Sequence, residues 1–274
     1  MKKIGIVFFL LLLVFLWCWG AIIEPYFLVK YEHTEITSKA WTKDLSGLKI
    51  ALVSDIHYNG GFAETKRLKN IIEKTNATKP DIIILLGDYI QAGSNRKINF
   101  DIVASQLKNL SAPLGVYSIL GNHDSYVGIN LVRDMLKNAG IVVLENSNAK
   151  VKTPKGDFYI AGIADVVSQN FFYTLAFKNI PDGAPTIFLS HSPDGFRPSP
   201  NEAKITFSGH THGGQIKLPF YGAMFVNLRF DKISDGKFSR KGKVLYVSQG
   251  LGMSRVPLRF LCPPTIVIAT ISKE

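Results

Sequence analysis

Hydrophobic and polar positions divide this chain into three regimes. Ile4–Ile23 is an uncharged run of 20 residues, which as a helix reaches ~30 Å, about the thickness of a hydrocarbon core. From Leu48 to about Gly140, short apolar runs alternate with segments that are apolar on one face only. Leu48–Val53, Ile82–Leu86 and Val116–Leu120 read as buried strands. Thr65–Thr75, Ile98–Leu110 and Asn130–Asn138 read as helices, with Pro80, Pro113 and Gly140 as punctuation. Strands alternating with helices predict a parallel sheet with helical crossovers. Beyond about residue 141 helical patterns thin out. Short β-like segments take over: Val142–Leu144, Phe158–Ile163, Thr186–Leu189, Ile205–Ser208, Val244–Val247 and Thr265–Ile271. The expectation is an α/β protein whose second half adds a sheet packed on the first.

The N-terminal run follows Lys2 and Lys3. A cleaved signal peptide is one reading of it. However, the run is long, and Trp17-Cys18-Trp19 is a poor small-residue cleavage site. Trp17 also argues against a lipoprotein signal at Cys18. Trp17 and Trp19 suit an interfacial belt, so the expectation is an uncleaved single-pass anchor over residues 1–23 and a cell-membrane location. Lys2 and Lys3 favour an inside N-terminus, but Lys30, Lys39 and Lys43 offset that bias, so charge assigns no side. Residues 24–46 read as a polar connector, with His33 solvated or locally packed.

At 274 residues with 46% hydrophobic content the rest can bury a large core. The formal charge of +11 would suit nucleic acid, but no dense Lys/Arg run with interleaved aromatics accompanies it. An anionic membrane surface is the better match, and no nucleic-acid partner is expected. Cys18 and Cys262 imply no disulfide framework. Oligomeric state is not legible.

Polar residues at strand ends change the picture. In open α/β sheets, sites form at the carboxyl ends of strands. There lie Asp55 and His57, Asp88, Asn122, His123 and Asp124, His191, and His210 and His212, which include five of the six histidines. His210 and His212 share the i, i+2 spacing that puts two side chains on one face of an extended segment. Gly213-Gly214 after them reads as a tight turn. Each piece has a plain alternative: a chance His-x-His pair, a capped strand end at Asp55, a Gly-Asp turn at Asp88, a packed loop histidine at His191, a helix N-cap at Asp124. Imidazole with carboxylate suits Mn, Fe or Zn, whereas Mg²⁺ or Ca²⁺ prefers oxygen alone. Without His123 and Asp124, seven ligand-type side chains remain. Two ions sharing one bridging carboxylate would use them all.

Asp55-x-His57, Gly87-Asp88, Gly121-Asn122-His123-Asp124, His191 and Gly209-His210-Thr211-His212 together resemble the motif set of the calcineurin-like metallophosphoesterases. The resemblance implies a two-sheet β-sandwich flanked by helices over residues 47–274. It implies two divalent ions, with manganese favoured. Asp55, His57 and His212 would hold one, Asn122, His191 and His210 the other, and Asp88 would bridge. His123 would act on the phosphate and leaving group, with Asp124 orienting it. Two cations ~3.5–4 Å apart can clamp the attacking and leaving oxygens of a phosphoester. The apolar run, Gly209–Gln215 and the tail around Arg259–Cys262 further resemble a membrane-anchored bacterial subgroup that includes phosphodiesterases and a UDP-2,3-diacylglucosamine pyrophosphatase of lipid A synthesis. Gln249 departs from the Arg that many of those proteins carry there. The aromatic stretches Phe171–Phe177 and Phe220–Phe230 are either core or a greasy rim meeting lipid. The expected substrate is a lipid-linked phosphodiester or pyrophosphate; a general phosphodiesterase or nuclease, and a non-catalytic tethered scaffold, are the alternatives.

Overall fold

The computed structural model describes residues 2–274 except 95, 97, 168, 169 and 227. The N-terminal apolar run is helical throughout: α1 (Lys2–Cys18) passes through a π turn at Trp19–Ile23 into α2 (Glu24–Phe27). Strands β1 (Lys30–Ser38) and β2 (Leu48–Val53) follow, then α3 (Phe62–Ala77), β3 (Ile82–Leu85), α4 (Phe100–Leu107), β4 (Val116–Ser118), α5 (Asn122–Asn138) and β5 (Val142–Val143). The second half contains β6 (Ser147–Thr153), β7 (Gly156–Gly162), α6 (Tyr173–Ala176), β8 (Thr186–Leu189) and β9 (Ile205–Ser208). A small hairpin, β10 (Lys217–Leu218) and β11 (Gly222–Ala223), precedes β12 (Gly236–Arg240), β13 (Lys243–Val247) and β14 (Thr265–Lys273).

Two six-stranded sheets form, ordered β1-β14-β2-β3-β4-β5 and β12-β13-β9-β8-β7-β6. β2 to β5 are parallel, as the alternation with helices predicts. Side-chain alternation along β2 and β3 divides their residues between two cores. Ile50, Leu52, Ile82 and Ile84 face Phe158, Ile160, Leu189 and Phe207 between the sheets. Ala51, Val53, Ile83 and Leu85 face Leu68, Val103 and Leu136 of the helices. The architecture is thus a mixed α/β two-sheet sandwich with its principal helices over the first sheet.

Two expectations need correction. Residues 24–46 are not simply a connector, because β1 pairs in parallel with the C-terminal β14 at the sheet edge. Its residues are polar because one face stays wet; only Ile36 and Ser38 are buried, and His33 is exposed. Edge pairing uses backbone groups, which leave little trace in side-chain pattern. Second, the helix expected over Asn130–Asn138 begins at Asn122, with a kink at Gly128 (φ 126°) where the two halves join.

Candidate metal centre

The carboxyl ends of β2, β3 and β4 in one sheet meet those of β8 and β9 in the other. All nine strand-end residues lie in this junction. Asp55, His57, Asp88 and His212 present ligand atoms within 4.8 Å of one another, and so do Asp88, His191 and His210. Asp88 belongs to both groups. Its Oδ2 lies 3.2 Å from His191 Nε2 and 3.5 Å from His57 Nε2, while Oδ1 accepts the His123 N–H at 2.8 Å. Asn122 lines the same cleft, and its Oδ1 is buried without a hydrogen-bond partner.

Backbone strain marks the site. Asp55, His57, Asp88, His210 and His212 all have positive φ, between 46° and 71°, a region that costs non-glycine residues free energy and that clusters at functional sites. The cost is offset by the fixed pairing around them. Asp55 N–H donates to Gly87 O and His57 N–H to Asp88 O, both at 3.0 Å, and the His210 N–H donates to the Asp55 carboxylate. Gly121 and Gly209 have no side chain because any Cβ there would collide with the Asp88 and Asp55 carboxylates.

The same strain corrects the simple picture of His210 and His212. β9 ends at Ser208, and the left-handed residues beyond it abolish strand alternation. The two rings therefore part: His210 faces His191, with centroids 5.1 Å apart, and His212 faces His57 at 4.8 Å.

The donor set fits divalent transition metals. His191 Nδ1 donates to Leu86 O at 2.7 Å, which leaves the Nε2 lone pair pointing at Asp88. His57 Nε2 and His212 Nε2 face each other at 3.1 Å, 3.4 Å from Asp55 Oδ1 in the case of His212. Opposed lone pairs at such distances need a proton or a cation between them. Burial pushes His57 down to about 3 and His210 down to about 4, in each case helped by a neighbouring imidazole. Burial, then Arg259, takes His212 well below its ordinary range. These rings stay neutral at physiological pH with lone pairs free for a metal. Burial opposes charge on His191 and on Asp88 too, yet their mutual attraction wins: His191 is raised and Asp88 lowered. A metal ion would take the place of the proton they share.

Among the described residues Asp124 makes its hydrogen bonds to backbone amides, not to the His123 ring that the resemblance would have it orient. The Asp124 carboxylate accepts N–H bonds from Gly121 (2.8 Å), Asp88 (2.8 Å) and Tyr89 (2.9 Å). It caps the start of α5 and staples the Asp88 loop to it. Burial and the neighbouring Asp88 push its pKa up to about 7, against these amide donors. The His123 ring is held elsewhere. Ala92 N–H donates to Nδ1 at 3.3 Å, and Nε2 lies 3.2 Å from Ser254 Oγ. Ser254, whose N–H donates to Gln215 Oε1 at 2.8 Å, gives no sequence signal, since it lies 131 residues from His123. Gln249 is engaged by Cys262, whose thiol lies 3.2 Å from both Gln249 Oε1 and His212 O. Cys18 and Cys262 are both free.

Beside the metal groups opens a cleft of ≈ 1490 Å³ that joins Asp88, Asn122, His123 and His210 to Tyr126, Val167, Phe225 and Phe230. The two aromatic stretches differ. Phe171, Tyr173 and Phe177 pack under the second sheet, whereas Phe220, Tyr221 and Phe225 are exposed; Asn227 lies outside the described residues.

The comparisons with known proteins agree with this geometry. The chain is 32% identical over 252 residues to the metallophosphoesterase YkuE of Bacillus subtilis, covering 91% of this chain and 87% of that one. It is 29% identical over 224 residues to the phosphodiesterase YaeI of Escherichia coli, covering 80% of each. It is 28% identical over 317 aligned positions to the UDP-2,3-diacylglucosamine pyrophosphatase LpxG of Chlamydia muridarum, covering 92% of each. The family model of the calcineurin-like phosphoesterases matches residues 48–214, which contain every residue of both ligand groups; the chain belongs to that family and is a metal-dependent phosphoester hydrolase.

Proposed function

We propose that this protein is a membrane-anchored dinuclear phosphohydrolase that cleaves a lipid-linked pyrophosphate or phosphodiester, of the class of UDP-2,3-diacylglucosamine. Asp55, His57 and His212 would hold one ion, Asn122, His191 and His210 the other, and Asp88 would be shared by both. Manganese is the first choice of metal, ahead of iron and zinc. The observation that carries the dinuclear reading is Asp88 Oδ2, a single oxygen shared between two histidine–acid groups. When bound, two such ions supply Lewis-acid polarisation of the phosphoryl group and a water of lowered pKa.

The chain's own residues do the rest. Asn122 offers a neutral oxygen and so limits the negative charge that an anionic substrate must approach. Ala92 N–H takes the Nδ1 lone pair of His123, so the ring proton sits on Nε2 and faces the cleft beside Ser254. From there it can be donated to the departing oxygen. The apolar wall of the cleft, the N-terminal apolar helix and the likeness to LpxG support a lipid substrate. The likeness to YaeI supports the second reading, a phosphodiesterase of broader range.

The test is a product assay with manganese-loaded protein on UDP-2,3-diacylglucosamine beside other lipid pyrophosphates. Release of UMP and the acylated sugar 1-phosphate is expected. Inertness towards every lipid, with turnover of a soluble aryl phosphodiester, would overturn the lipid assignment in favour of the broader one.

A further inference from the structure

The apolar helix does not merely precede the catalytic body; its last turns are built into it. Glu24 is buried, and its carboxylate accepts from Trp19 Nε1 at 2.9 Å, Leu261 N–H at 3.0 Å and Cys262 N–H at 2.5 Å. Arg259 N–H donates to Gly20 O at 2.9 Å, and a Cβ on Gly20 would lie 2.9 Å from Arg259 O and 3.0 Å from Leu258 Cγ. The helix thus crosses the 258–262 segment in direct backbone contact, which only glycine permits. A second tie runs from Tyr26 Oη to Glu64 at 2.8 Å, and through Arg67 to the carbonyls of Ile56 and Leu251.

These contacts fix a level. The uncharged run ends at Ile23 and is ~30 Å long, so Glu24 marks the edge of the hydrocarbon. Gly20 lies about one turn inside that edge. The 256–262 segment packed on it therefore sits at the headgroup–acyl boundary, with Val256 and Leu261 exposed there. Ile216 bridges Phe260 in parallel, and Lys217 N–H donates to Phe260 O at 2.9 Å. This pairing carries the β10–β11 hairpin alongside. At its tip Phe220 is fully exposed, Tyr221 is 74% exposed, and Phe225 just beyond is 66% exposed. Arg255 is exposed beside them, without an ion pair among the described residues.

We infer that the hairpin tip, with Val256 and Leu261, is a second bilayer contact, in the leaflet from which the anchor emerges. An aromatic tip flanked by arginine matches the chemistry of an anionic headgroup–acyl boundary. Two contacts, one a rigidly docked helix, fix the tilt of the catalytic body as one contact cannot. They turn the mouth of the cleft, which Phe225, Arg255 and Val256 line, towards the lipid surface. A lipid-borne phosphoester then reaches the metal groups without leaving its leaflet. The inference rests on the membrane-anchored reading above.

The test uses the full chain in phosphatidylethanolamine–phosphatidylglycerol nanodiscs. Nitroxide labels are placed singly at Phe220→Cys, Leu12→Cys and Lys155→Cys in a Cys18→Ser background, and power saturation is read with oxygen and with a nickel chelate. Leu12 reports the span, and Lys155, exposed at the β6–β7 turn, reports water. The expected result is a Phe220 label rich in oxygen contact and shielded from nickel, between the two controls. A Phe220 label as open to nickel as Lys155, with Leu12 buried in lipid, overturns the inference and leaves the anchor standing. A Leu12 label in water overturns both. Depth is read without turnover, so inertness towards lipid substrates would fell the proposed function alone. In the same nanodiscs Phe220→Asp should raise the apparent KM for a lipid substrate roughly tenfold and leave kcat within about twofold; an unchanged KM counts against the contact.

Discussion

The two ligand groups share Asp88 but are prepared for a cation to different degrees. In the group of His191 and His210, one ring is already fixed, since His191 Nδ1 is bonded to Leu86 O. In the group of Asp55, His57 and His212, both imidazoles leave Nδ1 buried without a partner, and their Nε2 atoms crowd each other at 3.1 Å. A hydrogen bond on the far nitrogen fixes tautomer and orientation before a metal arrives, and such partners are typically worth about 10–100-fold in affinity. A symmetric inventory of ligands therefore need not make two equal sites.

The largest effect is expected from removing what both groups hold in common. Asp88→Ala should lower kcat/KM on an aryl phosphodiester by at least roughly 10³-fold, the equivalent of several kcal/mol of lost Lewis-acid stabilisation. Metal content by atomic emission should fall below two ions per chain. Retention of a tenth of wild-type activity, with the fold intact by circular dichroism, would mean the two groups do not act as one centre.

Removing one group at a time sharpens the difference itself. His57→Ala should leave the tighter site and His191→Ala the weaker, separated by about 10–100-fold in manganese affinity. A titration with a competing chelator measures this directly. Equal affinities, or the reverse order, would show that the Leu86 carbonyl does not prepare its ring.

The smallest effect tests the staple between the groups. Asp124→Asn exchanges a charged acceptor of three N–H groups for an amide that brings donors of its own. A loss of about 1–2 kcal/mol is expected, equivalent to a fall in Tm of ~2–8 °C in a chain of this size. At saturating manganese kcat should change by less than about tenfold. A collapse of kcat with little change in Tm would return Asp124 to an orienting role towards His123.

Much of the framework was legible from local pattern. The parallel core strands β2, β8 and β9 have the bounds their apolar runs predict. The reason is that a buried strand must be apolar along its length and must end where polar groups can be satisfied. The edge strand β1 was not legible, because it is held by backbone pairing to a strand more than 200 residues away and its outer face is wet. The aromatic stretches behaved likewise: Phe171–Phe177 and Phe220–Phe230 look equally apolar, yet the first packs Phe171, Tyr173 and Phe177 on the second sheet and exposes only Phe172, Thr174 and Leu175, whereas the second leaves Phe220, Tyr221 and Phe225 exposed.

What the sequence determined by itself was an inventory: an apolar run of bilayer length, strands that end in acids and histidines, and the motif set those residues compose. Tertiary structure alone decided how the inventory was divided. It parted His210 from His212 by reversing the backbone after β9, turned Asp124 to backbone amides rather than to His123, brought Ser254 to that ring, and set Gly20 against the loop behind the metal groups. Each of these depends on backbone direction or on partners far apart in the chain. The order of residues encodes which groups are available within a turn or a strand, but orientation and distant contact arise only when the sheets close on each other.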